Sequence, residues 1–461
     1  MVEKVKQIFH FTLYPYLIGL FYFAYKLSFG PVEFDWQVAL SYFMIFSTIS
    51  FGIIFLVKRL FSFKQVTVLL FFCWVMFFFH GDIIRILETI FTQSKVRYKY
   101  VWLTAFFIGL IFSYFSFKFR KYNASLNMIS NVFISFLIII NILQTVMQYS
   151  RANARILTAI KNNRTFTKEI SPKTDIIWIL MDEYASSVVL KSRFSFNNSL
   201  DSFLIKKGFF ILPEIKSRSN LTMYSVNSIF NFDDSIEPYG LKYAAYELEN
   251  SAFPIILKEK GYKFKALTFF NIGNEKQIEK MYTYHQSLIF QLIQGTILDI
   301  IMQNYSKKYY KKPFYYQKKL LIDYNGYVYK NFLKEVNIEA AKPIFFWVHF
   351  LIPHGPLFKH ENGLLKPLTF NPADTSSLKN GYIEYLKYGN YLLEKMINEN
   401  PKLLNKIVII SGDHGVNLGY IKEGDDRIKP YFAIYIPRIY DTSELKKLKF
   451  ISQLPYFLLN N

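Results

Sequence analysis

Cysteine is nearly absent from this sequence: Cys73 is the single cysteine among 461 residues, and it lies inside an apolar stretch. The sequence after residue 150 therefore cannot form disulfide bonds, which excludes a disulfide-stapled secreted fold for that part of the chain. If this part is exported, its stability must come from an ordinary hydrophobic core. The roughly 290 residues that follow residue 173 are ample for one.

Acidic residues are also scarce, with 34 Asp and Glu against 55 Lys and Arg and a formal net charge of +21. Positions 1 to 150 hold 13 basic and 5 acidic residues, which leaves 42 and 29 for the remainder. Such a surplus favours an anionic partner, such as phospholipid headgroups or a polyanionic wall polymer, because each Lys or Arg near an anionic surface contributes about 1 kcal/mol. Nucleic acid is the other usual partner of a basic chain. It is not expected here, because the apolar runs described next predict that the chain after about residue 150 is tethered outside the membrane.

Long apolar runs are confined to the first third of the chain. Each approaches the roughly 20 residues that cross about 30 Å of hydrocarbon, and a buried helical core is the alternative interpretation. No cleavable signal is evident, so the first run is expected to remain as an anchor. The sequence thus predicts five transmembrane helices, at Phe9 to Phe29, Val38 to Val57, Val66 to Ile86, Val101 to Phe117 and Met128 to Met147.

Basic residues near the short loops indicate the orientation of these spans. Three basic groups fall on one side of the membrane, although Lys95, Arg97 and Lys99 fall on the other. We therefore expect the N-terminus in the cytoplasm and everything after about Ser150 outside, as in a multi-pass protein of a bacterial cell (inner) membrane. The predicted division is a transmembrane region at 1–149, a juxtamembrane linker at 150–173 and a catalytic domain at 174–461.

The outer part contains short apolar runs separated mostly by 20 or more residues, with helical patterning between them, as at 376–398. Runs spaced for crossover helices predict an α/β domain whose central sheet is mainly parallel and flanked by helices. The runs are Asp175 to Met181, Phe209 to Leu212, Tyr262 to Phe270, Ile344 to Phe350, Lys406 to Ile410 and Tyr431 to Ile436.

One segment of the outer part differs from the rest. Residues 287–302 are apolar but too short, at about 16 residues, for a sixth span. The Tyr- and Lys-rich residues 306–319 follow, and these residue types favour the membrane interface. A solvated charged helix is an equally good interpretation, so contact of 287–319 with the membrane is a hypothesis.

Two of the predicted strands end next to residue types that commonly bind metals. The run at 407–410 precedes Ser-Gly-Asp-His-Gly, which contains Asp413 and His414, and the run at 175–181 precedes Asp182 and Glu183. Parallel sheets place their sites at the carboxyl ends of strands. Asp182 alone is also a good helix cap, and the Asp-His pair alone is also compatible with a self-bonded turn.

Two further stretches carry polar groups suited to phosphate chemistry. Thr222 follows a polar loop and opens a helix-like pattern, where backbone N–H groups and the helix dipole favour an anion. Most hydroxyl residues at helix starts are only caps. His349 and His354 flank the end of the run at 344–350, and a lone histidine is more often structural.

The chain thus carries four elements in a fixed order: a strand that ends at Asp182, a loop and helix with Thr222, a strand that leads to His349 and His354, and a strand that ends at Asp413 and His414. This order resembles that of the alkaline phosphatase and sulfatase superfamily. Within it the chain is similar to membrane-anchored members of the lipoteichoic acid synthase and phosphoethanolamine transferase type, which also carry five preceding spans. The resemblance covers roughly Thr174 to Leu459, and its tail segments, residues 429–437 and 452–459, look like the family's final strand and helix.

The resemblance implies that Asp182, Thr222, Asp413 and His414 surround one divalent metal. Such a mixed oxygen and nitrogen shell is compatible with Zn²⁺ or Mn²⁺. Thr222 is matched to the family's nucleophile by the pattern Thr-x2-Ser-x2-Ser-x2-Asn that it begins. Metal coordination would lower the pKa of its hydroxyl, and attack on a phosphodiester would give a phosphothreonine intermediate.

The resemblance also implies supporting roles. His354 matches the histidine that binds substrate or moves protons, His349 is a possible assistant and Glu183 a possible alternate ligand. Ser219 and Ser225 are the fallback candidates for the nucleophile.

The sequence departs from parts of the family pattern. Sulfatases carry Cys or Ser in a Cys/Ser-x-Pro-x-Arg motif, whereas the residues that follow Thr222 include neither Pro nor Arg at those positions, which disfavours sulfate ester hydrolysis. Phosphoethanolamine transferases commonly carry disulfides in this domain, and this chain has none, which favours phosphatidylglycerol as donor.

The sequence therefore predicts a transferase that moves a phosphoalcohol, phosphoglycerol or phosphoethanolamine, from a phospholipid donor to a cell-surface glycan or glycolipid. A phosphodiesterase, phosphatase or sulfuric ester hydrolase of the same superfamily is the nearest alternative. A non-catalytic protein that uses the fold for surface-glycan assembly is the alternative from another class.

Overall fold

The computed structural model describes residues 12–29, 36–57, 59–90, 98–119, 123–164, 174–233, 240–273, 288–302, 315–338, 340–355, 359–364, 375–416, 425–437 and 443–460. The chain divides into two compact units. The first comprises Met1–Gln148 and Tyr284–Pro313, and the second comprises Tyr149–Thr283 and Phe314–Asn461.

The first unit is built from apolar helices, namely α1 (Tyr14–Phe29), α2 (Trp36–Val57), α3 (Phe63–Phe78), α4 (His80–Ile90), α5 (Tyr98–Lys118) and the first part of α6 (Asn123–Arg164). Of the described helices, α2 and α6 are long and apolar enough to cross a membrane, and α3 with α4 makes a third if the bent pair is one span. The chain is therefore membrane-anchored.

The third predicted span, residues 66–86, is not one straight helix. Its residues belong to α3 and α4, which are separated at Phe79 and bent by 74°. α4 carries Asp82, Arg85 and Glu88, and charged side chains are costly inside hydrocarbon. The bend therefore separates an apolar helix from one that carries charges.

A segment from the middle of the chain belongs to the first unit. Within it, α12 (Leu288–Ile293) contributes Leu292 to a buried cluster, and the Leu292 carbonyl accepts a 3.0 Å hydrogen bond from Tyr22 Oη. Lys26 Nζ donates to the Gln294 carbonyl at 2.7 Å. The sequence predicts residues 287–302 as part of the outer domain, whereas the compact units group the described residues 288–302 with the N-terminal helices. Residues 306–314 of the Tyr- and Lys-rich stretch lie outside the described residues.

The second unit contains a six-stranded mixed sheet of order β2-β6-β5-β1-β4-β3. The strands β3, β4, β1 and β5 are parallel neighbours, and β6 pairs antiparallel with both β5 and β2. Each corresponds to one predicted apolar run: β1 (Ile176–Met181), β2 (Phe210–Ile211), β3 (Lys263–Leu267), β4 (Ile344–Phe350), β5 (Ile407–Gly412) and β6 (Phe432–Tyr435).

Both faces of this sheet are covered by helices, which is why its central strands are almost wholly apolar. Ile177 and Ile179 of β1 point into one buried cluster, and Trp178 and Leu180 point into the other. The described helices of this unit are α7 (Ser187–Phe194), α8 (Ser199–Lys206), α9 (Thr222–Phe230), α10 (Leu241–Glu249), α11 (Ala252–Glu259), α13 (Tyr315–Glu335), α14 (Thr375–Glu399) and α15 (Leu454–Asn460).

The predicted juxtamembrane linker, residues 150–173, is helical where it is described. Residues 150–164 are the C-terminal part of α6, and Ile156 and Ile160 pack with Ala252 of α11. Residues 165–173 lie outside the described residues.

Candidate active site

The carboxyl ends of β1 and β5 bring the predicted metal-binding residues to one edge of the sheet. These strands are adjacent and parallel, with Met181 opposite Gly412, so the residues that follow each strand lie close together. Asp182 follows β1, and Asp413 and His414 follow β5.

Three side chains form a cluster with the geometry of a metal site. The ligand atoms of Asp182, Asp413 and His414 all lie within 4.8 Å of one another, and all three residues are buried. Thr222 Oγ1 is next to them, 3.4 Å from Asp182 Oδ1 and 3.4 Å from His414 Nε2. The structure thus brings together the four residues that the sequence interpretation grouped.

Asp413 shows why this cluster fits a cation. Its Oδ1 accepts a 2.9 Å hydrogen bond from the Glu183 backbone N–H. Its Oδ2 is completely buried and makes no hydrogen bond with any described residue, although His414 Nε2 lies 3.2 Å away. An isolated buried carboxylate oxygen is strongly disfavoured, and a cation beside it removes the penalty. The donor set of two carboxylates, one imidazole and one hydroxyl suits Zn²⁺ or Mn²⁺.

The Asp413–His414 pair is held by the backbone around it. His414 Nδ1 donates to the Gly415 carbonyl at 2.6 Å, since a carbonyl can only accept, and this leaves Nε2 as the acceptor nitrogen beside Thr222. A Cβ on Gly415 would lie 2.0 Å from the Asp426 carbonyl oxygen, and one on Gly412 2.4 Å from that of Tyr184. The two glycines of the Ser-Gly-Asp-His-Gly motif are therefore required by close backbone approach.

Thr222 is the first residue of α9, where free N–H groups and the helix dipole favour negative charge. The two fallback serines make structural contacts instead. Ser225 Oγ is buried and donates to the Asp413 carbonyl, and Ser219 Oγ accepts a 3.2 Å bond from the Leu221 N–H.

Glu183 occupies a strained backbone conformation, with φ of +61°. A non-glycine residue in this region costs on the order of 1 kcal/mol and persists only where its surroundings hold it. Tyr382 of α14 stabilises this conformation, because its buried hydroxyl donates to the Glu183 carbonyl at 2.7 Å and accepts from the Ala185 N–H at 3.1 Å. The sequence analysis missed Tyr382, and no local pattern marks it.

The predicted histidines lie at different distances from the cluster. His349 is fully buried, with Nε2 3.8 Å from Asp182 Oδ2 and Nδ1 3.3 Å from Thr268 Oγ1. His354 is 42% exposed, and its Nε2 lies 3.9 Å from Glu183 Oε1. His360 instead pairs with Glu384 of α14 at 2.9 Å.

The clustered acids differ in how readily they ionise. Burial raises the pKa of Asp413, and the Asp182 carboxylate raises it further. Burial also opposes ionisation of Asp182, but the neighbouring imidazoles of His354 and His349 outweigh it and hold the pKa of Asp182 well below its usual range. Burial raises the pKa of Glu183 to about 7, against the opposing effect of His354.

Neighbouring carboxylates raise the pKa of two histidines, His354 and His414. Loss of solvent lowers the pKa of His354, but Asp182 and Glu183 reverse this and raise it to about 9. Burial likewise disfavours the His414 imidazolium, yet Asp413 and Asp182 leave its pKa above the usual value. Excess negative charge at this edge of the sheet is thus balanced by protons that a divalent cation would displace.

Comparison with solved structures gives distant likenesses. The chain is similar to the soluble domain of lipooligosaccharide phosphoethanolamine transferase A from Neisseria meningitidis, with 13% identity, 64% of this chain and 90% of that one covered, and a TM-score of 0.42. The integral membrane form of that protein is 13% identical, with 96% of this chain and 95% of that one covered and a TM-score of 0.40. The zinc complex of the C-terminal periplasmic domain of EcEptC from Escherichia coli is 10% identical, with 63% of this chain and 82% of that one covered and a TM-score of 0.36.

Sequence comparison resolves the family. No curated protein sequence matches the chain. The family model described as Sulfatase matches residues 175–439, which is more than half of the chain and spans β1 to β6 with the whole Asp182, Asp413 and His414 cluster. The chain belongs to the sulfatase family.

Proposed function

We propose that this protein transfers a phosphoalcohol group, phosphoglycerol or phosphoethanolamine, from a phospholipid to a cell-surface glycan or glycolipid. The observation that carries the proposal is the position of Thr222: a hydroxyl at a helix N-terminus, 3.4 Å from both a carboxylate and an imidazole of a buried metal-type cluster. A nucleophile beside a cation and a helix N-terminus suits attack on an anionic phosphodiester.

The proposed layout keeps the predicted division of the chain. Five spans occupy residues 1–149, with the N-terminus in the cytoplasm. Residues 174–461 form the catalytic domain outside a bacterial-type inner membrane, apart from the segment at 288–302 that groups with the N-terminal helices. Two of the described helices, or three if the bent pair is one span, are long and apolar enough to cross a membrane, which supports the anchoring. Anchoring holds the site near a lipid donor and raises its effective concentration, which favours transfer of a lipid headgroup.

In this proposal Asp182, Thr222, Asp413 and His414 hold one Zn²⁺ or Mn²⁺. When bound, the metal supplies Lewis-acid chemistry, lowering the pKa of a coordinated hydroxyl and neutralising charge on phosphate oxygens. The unpaired Asp413 Oδ2 supports its inclusion in the ligand set. Glu183 and His349 are the auxiliary residues.

The first chemical step uses groups on this chain. Thr222 Oγ1, whose proton has first passed to solvent, attacks the phosphorus, so that an Oγ1–P bond forms while the bond from phosphorus to the diacylglycerol oxygen breaks. His354 donates its proton to the departing oxygen, and the neighbouring Glu183 carboxylate favours its protonated form. The products are diacylglycerol and a phosphoalcohol ester of Thr222. The N-terminal N–H groups of α9 stabilise the negative charge on the transferred group.

In the second step an acceptor hydroxyl attacks the same phosphorus and His354 accepts its proton. The Oγ1–P bond breaks, and Thr222 Oγ1 leaves in the deprotonated form in which it began the first step. With water as acceptor the same steps give a phosphodiesterase. That alternative rests on the shared site, and only the product distinguishes it from a transferase.

A product assay tests the proposal. The detergent-solubilised full-length protein, supplied with Mn²⁺ or Zn²⁺, is incubated with headgroup-labelled phosphatidylglycerol or phosphatidylethanolamine and membrane glycolipid. We expect diacylglycerol and labelled glycolipid from one donor, loss of both with Thr222→Ala, and retention of both with the neighbouring Ser219→Ala. Free phosphoalcohol as the sole labelled product would replace transfer by hydrolysis, and no diacylglycerol from metal-loaded protein would reject the phospholipid donor.

A further inference from the structure

A second cavity lies beside the candidate active site and is not used by the proposed chemistry. Its volume is about 320 Å³, within the range of small-ligand pockets. It is formed by α13, α14 and the chain that follows β4. Its most distinctive lining residues are four tyrosines and two lysines, Tyr329, Tyr385, Tyr388, Tyr391, Lys359 and Lys395.

Tyr391 presents an exposed aromatic face suited to a sugar ring, whereas the Tyr385 ring is fully buried. Tyr385, Tyr388 and Tyr391 recur every three residues on α14, so they lie along one side of the helix. The rings of Tyr385 and Tyr388 are nearly parallel, at 4° and 6.3 Å between centroids, and Tyr391 is 52% exposed. The negative face of an aromatic ring attracts the polarised C–H groups of a pyranose.

The lysines give the cavity a positive charge. Lys359 Nζ lies 4.3 Å above the Tyr388 ring and donates to its hydroxyl at 3.0 Å. Lys395 is 3.9 Å from Glu399, a loose surface pair of low energy. None of the residues lining the cavity in the described part of the chain carries a carboxylate. An anionic ligand is therefore favoured over a neutral one.

The cavity also offers an unused polar group. The Tyr329 hydroxyl is buried and makes no hydrogen bond with any described residue. Buried hydroxyls are almost always hydrogen-bonded, so this one calls for a partner that the described chain does not supply. Tyr329 lines the cavity, so this hydroxyl lies in its wall.

One wall of the cavity is continuous with the active site. Ile352 lines the cavity, and His354 follows two residues later, a separation that the backbone spans with at most about 7 Å. The wall is fixed, because the Leu351 N–H donates to Asn325 Oδ1 at 2.9 Å and Gly389 of α14 packs against Ile352. A ligand in the cavity is thus held at a defined place relative to His354.

We propose that this cavity binds an anionic sugar, bearing a carboxylate or phosphate, and that this sugar belongs to the acceptor glycan or glycolipid. The assignment to the acceptor rests on the proposed function, whereas the binding of an anionic sugar does not.

Binding to the metal-loaded full-length protein is measured with glucuronate, glucose and acetate as probes, by saturation-transfer NMR. We expect glucuronate to bind at least tenfold more tightly than glucose or acetate. The double variant Lys359→Gln/Lys395→Gln should abolish that preference, and Tyr391→Ala should weaken glucuronate at least tenfold. Lys330→Gln and Tyr327→Ala, exposed positions of α13 that do not line the cavity, are the matched controls.

Equal binding of the three probes, no binding of glucuronate, or unchanged binding in the cavity variants would overturn the proposal. The acceptor role is tested by the ratio of labelled glycolipid to free phosphoalcohol, which should fall at least tenfold in the double variant. An unchanged ratio would remove the acceptor role. If the wild-type protein releases no diacylglycerol, the proposed function fails, while the glucuronate measurement still decides whether the cavity binds an anionic sugar.

Discussion

The Glu183 backbone N–H donates a 2.9 Å hydrogen bond to Asp413 Oδ1, which joins the residues that follow β1 and β5. The bond fixes one carboxylate oxygen and leaves Oδ2 without a hydrogen-bond partner in the described chain. Since this oxygen is buried, Asp413 is a costly residue for the fold and a favourable one for a cation. Asp413 should therefore lower the stability of the metal-free protein while it strengthens the binding of a cation.

Replacement of Asp413 with Asn should therefore separate stability from metal binding. The amide keeps the acceptor for the Glu183 N–H and removes a buried charge whose pKa is raised by burial and by Asp182. We expect the metal-free variant to unfold at a higher temperature than the metal-free wild type, and Mn²⁺ to stabilise it far less. Thermal unfolding with and without Mn²⁺ measures both effects, and equal stabilisation of the two proteins would exclude Asp413 as a ligand.

Metal affinity should rise with pH. The pKa values of Asp413 and His414 are raised, so both groups bind protons at pH values where they are ordinarily free. A cation must displace those protons, and each one displaced steepens the dependence by up to about tenfold per pH unit. Calorimetric titration with Mn²⁺ between pH 5.5 and 8 should show tighter binding at the higher pH. A flat profile would contradict the assigned ligands.

His354→Gln should slow the reaction by about 10²- to 10⁴-fold, the usual contribution of a general acid. The effect should shrink for a phosphodiester with a p-nitrophenol leaving group, which departs without a proton. The wild-type rate should fall as pH rises through the His354 pKa, about 9 before a metal binds, and the variant should lack that limb. His360→Gln is the matched control, because His360 pairs with Glu384 away from the cluster.

Tyr382→Phe should destabilise the protein by about 1–3 kcal/mol, since it leaves the Glu183 carbonyl and the Ala185 N–H without their buried partner. The strained Glu183 conformation then loses its support, and metal affinity should fall together with stability. Chemical denaturation and Mn²⁺ titration check the two effects. Tyr327→Phe, an exposed tyrosine of α13, should change neither, and a Tyr382→Phe protein with wild-type affinity would show that Glu183 is positioned without Tyr382.

The strands were predictable because the apolar run that marks a buried strand can be read from consecutive residues. Buried parallel strands are short continuous apolar runs, and all six predicted runs coincide with strands of the sheet. The residues at the strand ends were predictable for the same reason, since adjacent parallel strands bring Asp182 and Asp413 to one edge. The antiparallel pairing of β6 left no mark in its sequence, because pairing direction depends on the connection and not on the strand.

Other features depend on distant parts of the chain. Tyr382 reaches Glu183 across about two hundred residues, and the grouping of Leu292 with Tyr22 joins segments still further apart. The bend at Phe79 separates the apolar α3 from the charged α4, and a window of mean apolarity averages that difference away. Local patterns report burial and periodicity, and they contain no information about which distant side chain completes a hydrogen bond.

The most direct test of the account is mass spectrometry of the peptide containing Thr222, after the metal-loaded full-length protein has been incubated with phosphatidylglycerol or phosphatidylethanolamine and quenched with acid. The account predicts a phosphoglycerol or phosphoethanolamine ester on Thr222 from one of the two lipids, absent in Thr222→Ala. Release of diacylglycerol without an adduct on Thr222, or an adduct on another residue, would contradict it.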